Sequence, residues 1–352
     1  MKCINPVNAG LSRRAFVAAS AAGAVSLVLA GCSGSGDGSA AGSSAGSAAS
    51  SGSKTKLTFC LDYTPNTNHT GVYVAKNLGY FDDEGLDVEI VQPADGTAES
   101  AIGTGQAQFG VSYQDYIAAA YDSGNTGLTA VAAIIQHNTS GIMSRAEDGI
   151  TRAKDMEGHV YTTWELDVEQ ATIKQIMESD GGDYSKLQMV PYSTDDDVAG
   201  LKANMYDCVW VYEGWAVQNA KIQDYDVNYF DFRAMDDVFD FYTPVIAANV
   251  DYVAQNPDTA KAFMRAVKKG YEYAVNHPAK AAKILCEEVP ELDSELVEAS
   301  AKFLAGEYTS DAESWGVIDS TRWSNYFQWL NDNALVENEL DVNSGYDTSF
   351  LA

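Results

Sequence analysis

Positive charge is what this chain has least of. There are 22 Lys and Arg against 50 Asp and Glu, a formal net charge of −28 at pH 7. So acidic a chain repels the phosphates of nucleic acid and of anionic lipid, which removes both as partners. Histidine is scarce, with 4 residues in no H-E-x-x-H run or Cys/His cluster, so neither a metal site nor a cofactor site is expected. Cysteine is also sparse, with 5 residues. Cys60, Cys208 and Cys286 follow the leader at unrelated spacings, and their odd number argues against a disulfide framework. Cys60 and Cys208 lie in strand-like runs and read as small buried thiols. No G-x-x-x-x-G-K-[ST] loop or G-x-S-x-G elbow occurs, so the commonest grounds for a nucleotidase or a hydrolase are missing. Asp195-Asp196-Asp197 lacks the spacing, glycine and terminal glutamate of a calcium loop and reads as a solvated helix start. Beyond the leader, no segment approaches the roughly 18 apolar residues of a membrane span.

The N-terminus reads as an address. Ser12-Arg13-Arg14-Ala15-Phe16-Val17 is a twin-arginine signal, and the apolar run after it is too short to span a bilayer comfortably. That run closes on Leu29-Ala30-Gly31-Cys32, a bacterial lipobox in which Cys32 would take lipid and become the new N-terminus. Residues 1–32 are therefore expected to be a lipoprotein signal peptide, and 33–54, nearly all Gly, Ser and Ala, a tether. Such a coil reaches roughly 25 Å, so the folded part would stay near the outer face of a membrane, held by the lipid alone. Removing the leader's three cations leaves a net charge of about −31.

The remaining 300 or so residues exceed one ordinary core and suggest two lobes. From residue 57 to 135 the pattern is β-α-β-α-β-α-β, with strands at 57–61, 86–91, 107–112 and 128–135. A second alternating series has strands at 158–162, 187–190, 207–212 and 227–230, and 241–249 reads as a returning strand. The rest is helical. Pro257 and Pro278 stand at first-turn positions, and Ala262, Phe263, Ala266, Val267 and Ala274 form one apolar stripe.

The most specific stretch is Asp62-Tyr63-Thr64-Pro65-Asn66-Thr67-Asn68-His69-Thr70-Gly71, placed where the first strand runs into a helix. It closely resembles the opening motif of the solute-binding proteins related to yeast thiamine-pyrimidine synthase, the SsuA/THI5-like family. The resemblance implies a two-lobed periplasmic-binding-protein fold of type II, α/β with two crossovers and a helical C-terminal tail. The crossovers are expected near 139–143 and 241–245, with 55–140 and 244–352 as one lobe and 141–243 as the other. It also implies a monomeric binding protein, not an enzyme, that serves an ABC permease and its ATPase. The cargo would be a small aromatic heterocycle of the formylaminopyrimidine or hydroxymethylpyrimidine type. Riboflavin, or a sulfonate, nitrate or taurine, are the alternatives within the fold. A pyrimidine-synthesising enzyme is a further one, although the eukaryotic enzymes carry a cysteine-rich motif and the nearest candidate region here, Asp207-Cys208-Val209-Trp210-Val211, has a single cysteine.

In an open α/β sheet, ligands bind at the carboxyl ends of the strands. The strand-end loops supply Asp62, Tyr63, Asn66, His69, Thr97 and Tyr113 from the first series, and Trp164, Tyr212 and Glu213 from the second. Tyr63 stands where relatives usually have Trp. Aromatics at strand ends suit a flat ring stacked between them, and a carboxylate such as Glu213 or Asp62 can accept from an exocyclic amine.

Overall fold

Two separate five-stranded sheets carry the fold in the computed structural model, which describes residues 53–93, 96–192 and 196–351. The signal peptide, Cys32, most of the tether and Asp195 lie outside the described residues. In chain order the strands are β1 (Thr55–Cys60), β2 (Leu86–Val91), β3 (Phe109–Ser112), β4 (Leu128–Ala133) and β5 (Ser140–Arg145). They continue with β6 (Val160–Thr163), β7 (Gln188–Pro191), β8 (Cys208–Tyr212), β9 (Val227–Asp231) and β10 (Val245–Asn249). The first sheet has the order β2-β1-β3-β10-β4 and the second β7-β6-β8-β5-β9. In each, the strand that arrives from the other sheet runs antiparallel to its neighbours: β10 against β3 and β4, and β5 against β8 and β9.

Strand β5 was not expected, and the first crossover lies earlier than the sequence suggested. The chain leaves the first sheet after Ala133 and enters the second at Ser140. Ser140-Gly141-Ile142-Met143-Ser144-Arg145 shows little apolar alternation, yet all six residues are buried. Gly141 allows a close approach, since a Cβ there would stand 2.2 Å from the Phe230 carbonyl oxygen. The second crossover takes up 232–244, so the returning strand is only the last part of the run 241–249. The two crossovers are tied side by side. Asn138 donates its side-chain amide to the Phe239 carbonyl at 2.8 Å and its backbone N–H to Asp240 at 2.9 Å.

The C-terminal helices hold the first sheet. Helix Pro257–Asn276 opens on its proline as expected and buries the stripe through Phe263, which stacks on Phe109 at 4.0 Å and on Phe81 at 5.5 Å. It crosses helix Thr70–Asn77 at a pair of glycines. A Cβ on Gly270 would stand 1.9 Å from the Gly71 carbonyl oxygen, and one on Gly71 2.3 Å from the Tyr271 ring. Gly71, the last residue of the motif, is therefore a packing requirement. Helix Ser320–Asp332 runs beneath the crossovers, with Tyr326 stacked on Phe241 at 4.2 Å. Gln114 ties these parts together, donating to the Trp323 carbonyl at 2.8 Å and accepting from the Tyr242 N–H at 2.9 Å. Cys60, Cys208 and Cys286 are free thiols, the first two buried. Among the described residues no helix is long and apolar enough to cross a membrane.

Candidate functional site

The opening motif builds one wall, and most of it is engaged in holding its own loop. Asn66 caps the short helix Thr67–His69, accepting from the Asn68 N–H at 2.9 Å, while its backbone N–H donates to Nδ1 of His69 at 3.0 Å. That contact makes Nδ1 an acceptor, so the His69 proton sits on Nε2 and points at Oδ1 of Asp62, 2.6 Å away. Both nitrogens of this fully buried ring are thus spent, and His69 acts through Asp62. The backbone of the motif is bolted from behind. Tyr308 and Tyr271 donate their hydroxyls to the carbonyls of Thr67 and Asn68, each at 2.7 Å.

Asp62 receives a second bond, from the Tyr113 hydroxyl. Burial pushes its carboxyl up, but the contact with His69 and the hydrogen bonds from His69 and Tyr113 outweigh burial and hold it below the ordinary aspartate value of 3.8. A carboxylate ionised at neutral pH therefore stands at the end of β1. Tyr63, beside it, is 60% exposed. Thr97 caps helix Ala98–Gly103 with its hydroxyl, accepting from Ser100 N–H at 3.3 Å. Glu99, one residue on, is buried and accepts from Ser112 at 2.7 Å.

The second wall is an aromatic recess of about 180 Å³ over the carboxyl ends of β6, β7 and β8. Trp164, Tyr192, Trp210, Tyr212 and Trp215 line it, with Asp197 as its carboxylate. Trp164 leans on Trp210, ring centres 5.6 Å apart, and leaves 45% of its surface open. The loop that presents it hangs on one buried carboxylate, Glu169. That group accepts from the hydroxyls of Tyr161 at 2.6 Å and Thr163 at 2.9 Å, and from the backbone N–H groups of Trp164 at 3.0 Å and Leu166 at 3.4 Å. Between them Glu165 is held at φ 63°, a left-handed conformation that a non-glycine residue adopts only under constraint. After β8 the chain makes a π-helical turn, Glu213–Val217, an irregularity that turns Trp215 into the recess and is frequent at functional sites.

Glu213 and the recess part company here. Its carboxyl is raised by burial, with Lys221 and Arg233 opposing and Glu307 and Asp231 adding to the rise. These neighbours mark a polar cluster outside the recess, whose walls do not include Glu213. Two other carboxylates act on the aromatics, Asp197 in the recess and Asp115 in the segment after β3. Asp197, expected to be a solvated helix start, lines the recess, and burial together with Asp196 pushes it up to about 7. Asp115 is pushed up to about 7 by burial and by the charge of Glu99, against the lowering effect of hydrogen bonds from its own and the Tyr116 backbone N–H. Its charge acts on Tyr212 and Tyr326, and that of Asp62 on Tyr113, Tyr116 and Tyr212. Tyr212, 3.5 Å from the Thr243 hydroxyl, is thus the hinge-side group at which the two walls meet. The strand-end segment Tyr113-Gln114-Asp115 contained Asp115, but neither it nor Asp197 stood out in the sequence, because their significance lies in burial.

The family model described as NMT1/THI5 like matches residues 66–281. The formylaminopyrimidine-binding protein of Halalkalibacterium halodurans is 27% identical over 287 residues, 79% of this chain and 85% of that protein. The 4-amino-5-hydroxymethyl-2-methylpyrimidine phosphate synthase THI11 of Saccharomyces cerevisiae is 25% identical over 256 residues, 69% of this chain and 74% of the enzyme. Among solved structures, the periplasmic aliphatic sulphonate binding protein SsuA from Escherichia coli superposes with a TM-score of 0.66 at 13% identity, covering 84% of this chain and 98% of that one. The fold is that of the two-lobed periplasmic binding proteins.

Proposed function

We propose that this chain, which belongs to the NMT1/THI5-like family, is an exported solute-binding protein that captures a monocyclic aminopyrimidine. The observation that carries this reading is the recess of Trp164, Tyr192, Trp210, Tyr212 and Trp215 with Asp197 at its side. Aromatic faces stack on a flat ring, each contact adding about 0.5–1.5 kcal/mol beyond area burial. A carboxyl accepts from an exocyclic amine, a charge-assisted bond worth about 1.5–3 kcal/mol. The ionised carboxylate of Asp62 repels a sulfonate or a nitrate. The 27% identity to a formylaminopyrimidine-binding protein points the same way.

The twin-arginine leader and the lipobox at Cys32 support export and a lipid anchor, with delivery to an ABC permease whose ATPase supplies the energy. Residues 55–140 with 244–352 would form one lobe and 141–243 the other. Against the synthase activity named for the yeast relative stands the scatter of the cysteines Cys60, Cys208 and Cys286, which form no cluster in the chain. A thermal-shift panel of formylaminopyrimidine, hydroxymethylpyrimidine, thiamine, riboflavin and alkanesulfonates tests the reading. Stabilisation by the first two is expected. Stabilisation by riboflavin alone or by sulfonates alone would replace it.

A further inference from the structure

Among the described residues, the buried side-chain atoms without a hydrogen-bond partner include Oδ1 of Asp115, the hydroxyl of Tyr326 and Nε1 of Trp210. Buried polar groups in folded proteins are nearly always paired, so an orphan whose neighbours belong to a recess is open to a partner that a ligand supplies. Trp210 lines the recess itself. Asp115 stands on the first turn of helix Gln114–Asp122, after β3, and its charge is felt by Tyr212, which is also a wall of the recess, and by Tyr326 from helix Ser320–Asp332. Oδ1 of Asp115 is thus an open acceptor on a carboxyl whose charge reaches a wall of the recess.

We propose that Asp115 reads the N–C–NH2 edge of an aminopyrimidine as a carboxylic acid, and that binding above neutral pH takes up one proton from solution. This rests on the aminopyrimidine reading above and deepens it. A 4-aminopyrimidine presents a ring-nitrogen acceptor beside an amine donor. A protonated carboxyl presents a hydroxyl donor beside a carbonyl acceptor, so the two edges fit with two hydrogen bonds and one shared proton. Whether that proton rests on the ring or on the carboxyl, the complex contains one. Free Asp115 already carries it below about 7 and has lost it above, so above that point the proton must come from solvent.

The groups facing Asp115 do not disturb this count. Glu99 approaches from helix Ala98–Gly103, Tyr116 from its own turn, Tyr212 from the end of β8 and Tyr326 from below. Burial raises all three phenols above their ordinary value, so they stay neutral through the relevant range. Asp62, which acts on Tyr116 and Tyr212, is held below 3.8 and stays ionised. Asp197 titrates in the same range and needs its own control.

The test is calorimetric titration of the mature protein with formylaminopyrimidine at pH 6 and pH 8.5, in two buffers of different ionisation enthalpy. Wild type is expected to take up about one proton per ligand at pH 8.5 and almost none at pH 6, its Kd weakening about thirtyfold from pH 6 to 8.5, most of it above pH 7, where an obligatory proton costs up to tenfold per unit. Asp115→Asn should behave in a way no structural role predicts. Its amide offers the same donor and acceptor as the protonated acid, so it binds with a pH-independent Kd and more tightly than wild type at pH 8.5. Asp197→Asn should keep the wild-type slope. Binding with no proton uptake at pH 8.5, an Asp115→Asn profile parallel to wild type, or a slope abolished by Asp197→Asn instead, would each overturn the assignment. No binding at either pH would overturn the aminopyrimidine reading with it. Should Asp115→Asn not fold, the wild-type proton count and the Asp197→Asn slope decide.

Discussion

Replacing Glu169 by Ala should be the most damaging single change in the second sheet's loops. Glu169 is 2% exposed and its two oxygens collect the hydroxyls of Tyr161 and Thr163 and the backbone N–H groups of Trp164 and Leu166. Truncation leaves a fully buried phenol and a buried threonine hydroxyl without their acceptor. A buried donor left unpaired costs about 1–3 kcal/mol, and a charged acceptor stands at the upper end of that range. The backbone N–H groups are closer to solvent, since Leu166 is 47% exposed, and water can replace their partner. The sum comes to about 3–5 kcal/mol, a large share of the 5–15 kcal/mol that ordinarily holds a domain. Urea unfolding followed by circular dichroism should show the midpoint falling by about 1 M or more, given slopes of roughly 3 kcal/mol/M for a chain of this size. Glu169→Gln keeps the shape but sets an NH2 group against donors, and should lose about half as much. Ligand affinity should fall further than stability in both, because Glu165 is no longer held left-handed and Trp164 loses its place. A midpoint shift below about 0.3 M for the Ala variant would refute the view that Glu169 organises this loop.

Two further outcomes follow from the same geometry. Asp62 has its folded value held below 3.8 by His69 and Tyr113, so its contribution to stability is present above that value and is lost as pH falls through the folded one. Asp62→Asn should therefore cost about 1.5–3 kcal/mol at pH 7, with the difference from wild type narrowing as pH falls below 3.8. A constant gap across an acid titration of the urea midpoint would contradict this. Trp164→Ala should leave the urea midpoint nearly unchanged, since the ring is 45% exposed, yet raise the Kd for formylaminopyrimidine about three- to tenfold through the lost stacking. An unchanged Kd in calorimetry would take Trp164 out of the binding wall.

The sequence by itself determined the elements whose signals are local. The βαβ rhythm, the proline-opened helices and the apolar stripe of Pro257–Asn276 depend on period and turn chemistry between near neighbours, and all are present in the folded chain. The motif Asp62–Gly71 was legible as a family mark, but its division of labour was not. Only the crossing of two helices shows why Gly71 must be glycine, and only the ring contacts show His69 bound to its own loop and to Asp62. Strand β5 escaped because its burial comes from β8 and β9 on either side, which no pattern within Ser140–Arg145 can announce. The same reason governs the carboxyls. Glu213 drew attention by standing next to Tyr212, whereas Asp115 and Asp197 owe their altered acidity to desolvation by segments distant in the chain. Burial is a property of the assembled fold, so the kind of protein could be read along the chain, and the chemistry of its cleft only across it.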